Sequence, residues 1–222
     1  MLAVGGGMAV QRAVAERWQQ ATGNVITQGY GLTEASPVVT TNPVGSPFTG
    51  AVGLAVPSTQ ITIRDDDGVV LPVGEIGEIC VRGPQVMKGY WNKPAENNAC
   101  FRDGYFMTGD IGIMKEDGFF KIVDRKKEMI NVSGLKVFPN DVENAIALHP
   151  GVLEVGVRGD KDKHGNELVM AFVVKKDPSL TENDVIEFCR INLTAYKVPK
   201  KVVFRDELPK SNVGKILRRL LE

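Results

Sequence analysis

Histidine and cysteine are scarce in this chain. Its 222 residues hold two histidines, His149 and His164, and three cysteines, Cys80, Cys100 and Cys189. Two histidines cannot build a histidine-rich metal centre, and they argue against a Ser-His-Asp triad. His149 precedes Pro150 at an expected helix end, where a structural role suits it. The cysteines are odd in number and far apart, so they make neither a disulfide framework nor a metal knuckle and point to a reducing cytoplasm. No apolar run approaches the roughly 20 residues that span a bilayer. Met1 to Gly7 lack the basic start and apolar stretch of a secretory signal. Net charge is also missing, with 27 Lys and Arg against 27 Asp and Glu. Aromatic residues do not alternate with the basic ones, which speaks against a nucleic-acid partner.

What is present suits a globular protein of one or two domains, with 43% hydrophobic and 24% charged residues. The charges are unevenly spread. Met1 to Asp124 carry 9 basic and 13 acidic residues, and the remainder carries 18 and 14. Such a reversal fits a cationic module meeting an anionic ligand across a boundary, or chance variation on solvated surfaces.

Three regions follow from the patterning. Leu2-Ala3-Val4 reads as a strand entering Gly5-Gly6-Gly7. A helix over Val10 to Thr22 and a strand at Val25-Ile26-Thr27 come next. That order belongs to an α/β layer. From about residue 50 to 123, short strands dominate: Gln60 to Ile63, Val69 to Leu71, Glu75 to Val81 and Phe119 to Val123. A small β-barrel or twisted antiparallel sheet is expected there. Beyond Arg125 the pattern predicts an α+β unit. Its parts are strands at Met129 to Val132, Val152 to Val157, Leu168 to Val174 and Val202 to Phe204, and a helix opened by Pro139. A second helix is capped by Thr181 with Asp184 at its third position, and a short third helix runs from Gly214. The fold class is thus α/β followed by α+β, divided at 1–124 and 125–222. A lone strand and helix make a poor beginning for a domain, so Met1 is expected to begin a truncated chain. Leu221-Glu222 reads as an appended remnant.

Four segments carry candidate chemistry. In Gln28-Gly29-Tyr30-Gly31-Leu32-Thr33-Glu34, the glycines permit close backbone approach and Tyr30 offers a flat face to a purine, or Gly-Tyr-Gly makes a tight turn beside a core tyrosine. Thr33 can donate to a phosphate, and Glu34 is a hard oxygen ligand for Mg²⁺. In Thr108-Gly109-Asp110, the carboxylate can accept both hydroxyls of a ribose, or can simply cap its own turn. Asp124-Arg125-Lys126-Lys127 offers a planar fork and point charges, at the place where the charge balance reverses. Ser133-Gly134 follows, with bare backbone to line a channel. Finally, Pro209 to Lys215 is no P-loop, since the first glycine of that motif is absent. Lys215 is either a solvated surface lysine or a long cation able to meet developing charge.

Together and in this order, Tyr30-Gly31-Leu32-Thr33-Glu34, Thr108-Gly109-Asp110, Asp124-Arg125 and Gly214-Lys215 resemble the adenylate-forming superfamily. That group includes acyl-CoA synthetases, luciferases and peptide-synthetase adenylation domains, and the likeness spans essentially the whole chain. Val123 to Ile130, Val132-Ser133-Gly134 and Val137 to Asn140 most resemble bacterial long-chain fatty acid–CoA ligases. The resemblance implies that a carboxylate attacks ATP to give acyl-adenylate and pyrophosphate, after which CoA displaces AMP. It implies a mobile C-terminal domain behind a large AMP-binding domain that is incomplete here and includes the β-rich subdomain.

On that template, Tyr30 stacks on adenine, Gly29 and Gly31 line its pocket, and Gly5, Gly6 and Gly7 lie near the base and acyl site. Thr33 holds the α-phosphate, Glu34 binds Mg²⁺, Asp110 takes the ribose hydroxyls and Arg125 contacts the ribose. Lys127 is the hinge, Lys215 serves adenylation, and Ser133 and Gly134 help form the pantetheine channel. The implied ligands are ATP or AMP, Mg²⁺, CoA and a fatty acid. The implied setting is cytoplasmic, with peripheral contact at the inner membrane face. The family's phosphate loop, with its lysine, and most of the acyl pocket match nothing in this sequence, so no activity is expected of the chain alone. An aryl- or medium-chain ligase, or a non-catalytic nucleotide-binding module, are the alternatives.

Overall fold

The computed structural model describes residues 2–7, 10–212 and 214–222. Met1, at which truncation was expected, and Val213 of the glycine-lysine segment lie outside them. The chain forms two compact units, Met1–Lys126 and Lys127–Glu222. The break falls two residues past the expected one because the last strand of the first unit continues through Arg125.

In the first unit, β1 (Ala3–Gly5) and β2 (Ile26–Gly31) run parallel, joined through α1 (Arg12–Thr22) as the pattern predicts. Helix α1 stops where Gly23 takes φ 69° and returns its N–H to the Gln19 carbonyl at 2.8 Å. Antiparallel β3 (Val38–Thr41) and β4 (Leu54–Ala55) complete this sheet.

The second sheet is antiparallel and half-barrel-like: β5 (Gln60–Arg64), β6 (Ile76–Arg82), β7 (Phe101–Arg102), β8 (Tyr105–Met114) and β9 (Phe120–Arg125). One side of the long β8 meets β6, while β7 and β9 share the other. The expected strand at Val69 to Leu71 reduces to one bridge, Arg64 to Val70. Between β6 and β7 lies α2 (Pro94–Cys100), which no periodicity announced. Gly53 ties the two sheets, its carbonyl accepting from Phe120 N–H at 2.9 Å. At φ 100°, a Cβ there would fall 2.0 Å from the Thr41 carbonyl carbon, so only glycine fits. Val39, Val52, Ile63, Ile79, Val81 and Phe120 form the shared core.

The second unit begins with the hairpin β10 (Ile130–Val132) and β11 (Leu135–Val137), followed by α3 (Pro139–Ile146). Then β12 (Val152–Lys161) pairs antiparallel with β13 (Glu167–Lys175), and α4 (Glu182–Asn192) crosses to β14 (Lys201–Arg205), parallel to β13. Alternation along β13 divides the core. Val169, Ala171 and Val173 share a cluster with Val142 of α3 and Val185 of α4. Met170, Phe172 and Val174 meet Leu208 and Leu221. Thr181 and Asp184 form the expected reciprocal cap on α4.

The end of the chain differs from expectation. Past Gly214 (φ 80°), an antiparallel bridge joins Lys210 to Ile216, and only a 3₁₀ turn follows at Arg218–Leu220. The turn wins over a helix because Ser211 N–H and Lys215 carbonyl close it at 2.8 Å, with positive φ at the glycine. Leu221 is no appendage, being 1% exposed in the core.

Arg218 fastens this tail. Its guanidinium, 13% exposed, holds Glu143 at 2.6 Å and Glu128 at 2.5 Å. Arg218→Ala leaves the half-buried Glu143 carboxylate without its cation, a change expected to cost about 1–3 kcal/mol. Hydrogen exchange at Val155 and Val157 should accelerate accordingly. Unchanged protection there would remove the structural weight placed on Arg218.

Candidate functional site

Strand pairing assembles the first unit's polar centre. Asp110 and Arg125 are register partners on β8 and β9. The Arg125 Nε forms an ion pair with Asp110 Oδ1 at 2.6 Å. From β2, the Tyr30 hydroxyl donates to Asp110 Oδ2, also at 2.6 Å. The Asp110 side chain is 5% exposed and that of Arg125 45%, so the buried carboxylate reaches solvent beside an accessible cation. Burial first, then the Asp110 carboxylate, pushes the Tyr30 phenol far above its ordinary range. Tyr30 is therefore a fixed neutral donor.

The turn carrying Asp110 is held from two sides. The Thr108 hydroxyl donates to the Ile79 carbonyl at 2.8 Å and accepts from Asp110 N–H at 3.1 Å. Gly109, at φ 70°, donates its N–H to Glu78 Oε1 at 2.9 Å. The other Glu78 oxygen takes Lys126 Nζ at 2.9 Å, and Lys126 also reaches Asp66 at 2.9 Å. Burial alone would lower the Lys126 ammonium, but Asp66 and Glu78 outweigh it and leave it raised. Sequence reasoning passed over Glu78. Its signal was an acid within a strand-forming run, between Gly77 and Ile79, where burial requires a partner.

Glu34 sits in a 3₁₀ turn, Thr33–Ala35, and is half-buried, while Thr33 is exposed. The Tyr90 hydroxyl donates to Glu34 Oε1 at 2.7 Å. That bond first, and burial second, push the Tyr90 phenol up to about 12. Tyr90 was not among the expected site residues.

The glycines have several distinct reasons. A Cβ at Gly31 would lie 2.1 Å from the Pro37 oxygen, and one at Gly29 would lie 3.0 Å from the Thr40 oxygen. Close packing of β2 against its neighbour thus accounts for both. Gly5 ends β1, with a virtual Cβ 2.9 Å from Val10 Cγ2, and Gly6 is exposed. Gly7 takes φ 79°.

The second unit holds the remaining expected residues. Ser133 (φ 53°) and Gly134 (φ 85°) are the two central residues of the β10–β11 turn, the left-handed pair that a tight hairpin requires. Asn131 Oδ1 accepts the Gly134 N–H at 2.7 Å. Lys127 is exposed within the 3₁₀ turn Lys126–Glu128. Lys215 is exposed too, and among the described residues its ammonium has no side-chain partner.

Cysteine chemistry has no place in this arrangement. Burial first, and Glu78 second, push the Cys80 thiol up to about 12. Among the described residues no cluster of three or more His, Cys, Asp or Glu could hold a metal ion. Glu34 fits a different kind of site, since Mg²⁺ commonly takes one carboxylate, with phosphate oxygens and water completing its shell. No helix is long and apolar enough to cross a membrane among the described residues.

Residues 1–91 match the profile of the AMP-binding enzyme family, and residues 141–215 match that of the AMP-binding enzyme C-terminal domain. A long-chain-fatty-acid–CoA ligase of Escherichia coli O6:H1 is 55% identical over 221 residues, 99% of this chain and 39% of the ligase. The chain therefore spans about two fifths of that relative's length. ATP-bound MatB from Rhodopseudomonas palustris superposes with a TM-score of 0.94 at 36% identity, covering 99% of this chain and 44% of MatB. O-succinylbenzoate CoA synthetase from Bacillus subtilis, in complex with ATP and magnesium, gives 0.87 at 33% identity, covering 100% and 46%. Matched in both of its units, and carrying a buried acceptor and a half-buried carboxylate in the first, the chain belongs to the AMP-binding enzyme family.

Proposed function

We propose that this chain serves as the nucleotide-handling and C-terminal portion of a long-chain fatty acid–CoA ligase. Such an enzyme couples a fatty acid to CoA through an acyl-adenylate, with ATP cleaved to AMP and pyrophosphate. One observation carries the reading above the others. Asp110 is buried between Tyr30 and Arg125, in a chain 55% identical to such a ligase.

Tyr30, its plane held by the bond to Asp110, stacks on the adenine, with Gly29 and Gly31 lining the pocket and Gly5, Gly6 and Gly7 nearby. Asp110 accepts the ribose hydroxyls and Arg125 contacts the same sugar. Thr33 donates to the α-phosphate. Glu34 holds Mg²⁺, which when bound offsets phosphate charge. Lys215 supplies a cation for charge that gathers during adenylation. In the second half-reaction Ser133 and Gly134 border the pantetheine of CoA, after a turn about Lys127. We also place the protein in a cytoplasmic setting, with fatty acid met at the membrane surface.

None of these residues replaces a phosphate loop, so the 222-residue chain alone is expected to make no acyl-CoA. The direct test joins residues 1–222 to the part of the Escherichia coli ligase that lies outside the match. The chimera should form CoA thioesters, with oleate preferred over short and aromatic acids. A folded chimera that activates no fatty acid would sink the reading, and ATP-dependent oleoyl-CoA formation by the chain alone would overturn the expected dependence.

A further inference from the structure

Tyr90 and Asn97 belong to no segment with an assigned role, yet they form a small device directed at Glu34. The chain from Val86 to Tyr90 passes the Thr33–Ala35 turn and is fastened to it by its backbone, Met87 N–H donating to the Glu34 carbonyl at 2.7 Å. Three residues later the Tyr90 hydroxyl reaches the same residue's Oε1 at 2.7 Å. One strap thus holds both the main chain and the carboxylate of Glu34.

The strap is itself pinned. Asn97, on α2, accepts Tyr90 N–H through Oδ1 at 2.7 Å and donates from Nδ2 to the Tyr90 carbonyl at 2.9 Å. That amide thereby satisfies both backbone groups of one residue. Gly89 completes the fit, because at φ 147° a Cβ there would stand 2.9 Å from Asn97 Oδ1. Pro94 at the first turn of α2 starts the helix that carries the pin. Held this way, the Tyr90 backbone is fixed beside Glu34, while its side chain is 38% exposed.

We infer that Tyr90 is a positioning residue for Glu34, fixing Oε1 so that Oε2 faces a magnesium–nucleotide complex, and that Asn97 holds Tyr90 in place. The inference rests on the reading of Glu34 as the magnesium ligand. A carboxylate fixed by one oxygen binds through the other without losing its torsional freedom at that moment, which is where preorganisation gains affinity.

Two measurements on Tyr90→Phe and Asn97→Ala test this. In the 222-residue chain, amide exchange at Ala35 and Ser36, whose N–H groups donate to the Leu32 and Thr33 carbonyls, should quicken several-fold in both variants. Protection equal to wild type would overturn the positioning role, whatever reaction the protein performs. In the chimera with the Escherichia coli ligase segment, the Mg²⁺ concentration giving half-maximal rate should rise about tenfold in Tyr90→Phe, the low end for a hydrogen bond to a charged group. Saturating Mg²⁺ should then restore most of the rate. An unchanged Mg²⁺ dependence, or an equal loss at all Mg²⁺ concentrations, would refute the inference. If wild-type chimera forms no thioester, the ligase reading fails by itself, and the exchange data still decide the role of Tyr90.

Discussion

In the chimera, Lys215→Ala is expected to slow acyl-adenylate formation by about 10²–10³-fold, the usual consequence of deleting one preorganised contact to developing charge. Thioester formation from supplied acyl-adenylate should continue at close to the wild-type rate. The structure makes this substitution clean. The turn at Lys215 is closed by backbone and by Ser211: Ser211 N–H meets the Lys215 carbonyl at 2.8 Å, and Ser211 Oγ accepts Lys215 N–H at 3.2 Å. Alanine retains both bonds. Lys210, paired with Glu154 at 2.7 Å, further anchors the turn to β12. Equal loss in the two half-reactions, measured by pyrophosphate release and by thioester formation, would refute the assignment to adenylation.

Asp110→Ala should be the most damaging change in the first unit. It leaves the Tyr30 hydroxyl buried without an acceptor, at about 1–3 kcal/mol. The loss of Arg125 adds less, because that side chain is 45% exposed and water screens it. We expect the chain to be destabilised by about 2–3 kcal/mol in total. Urea unfolding followed by fluorescence reports this directly, since Trp18 and Trp91 both lie in the first unit. AMP binding should be abolished with it. Asp110→Asn, which keeps an acceptor for Tyr30, should recover much of the stability and little of the binding. An Asn variant that binds AMP normally would show that the carboxylate's charge is not what the ribose requires.

The sequence told more about the periodic parts than about the polar contacts. The β1–α1–β2 order, the second unit's main strands and the Thr181 cap were legible because each rests on local spacing or a local capping bond. Strand β8 was not legible. Its Thr108-Gly109-Asp110 stretch looks like a turn, and Gly109 does take a left-handed φ. Pairing on both sides nevertheless keeps that stretch inside a ten-residue strand. The helix expected after Gly214 failed because the turn closed between Ser211 and Lys215, together with the packing of Leu221, overrode local helical preference. Among site residues, Asp110 and Arg125 stand side by side because two strands place them so, a register that no one-dimensional spacing reveals. Glu78, Tyr90 and Asn97 act on groups 31, 56 and 7 residues away respectively. Only the last lies within reach of a local pattern.

The clasp between Arg218 and Glu128 has a consequence for the topology of the second unit. It joins positions 90 apart in sequence, so nearly the whole unit is a loop of chain whose two ends are stitched together. Such a loop has no obligatory beginning. Opened at the exposed turn between Asp162 and Asn166 and relinked across the stitched ends, it should keep its layers, because permuted domains tolerate new termini at polar loop tips beside old termini that lie close together. By the same logic, trimming the last five residues removes Arg218 and frees the first turn of the unit at Glu128. The last turn of the second unit thus holds the first turn of that same unit.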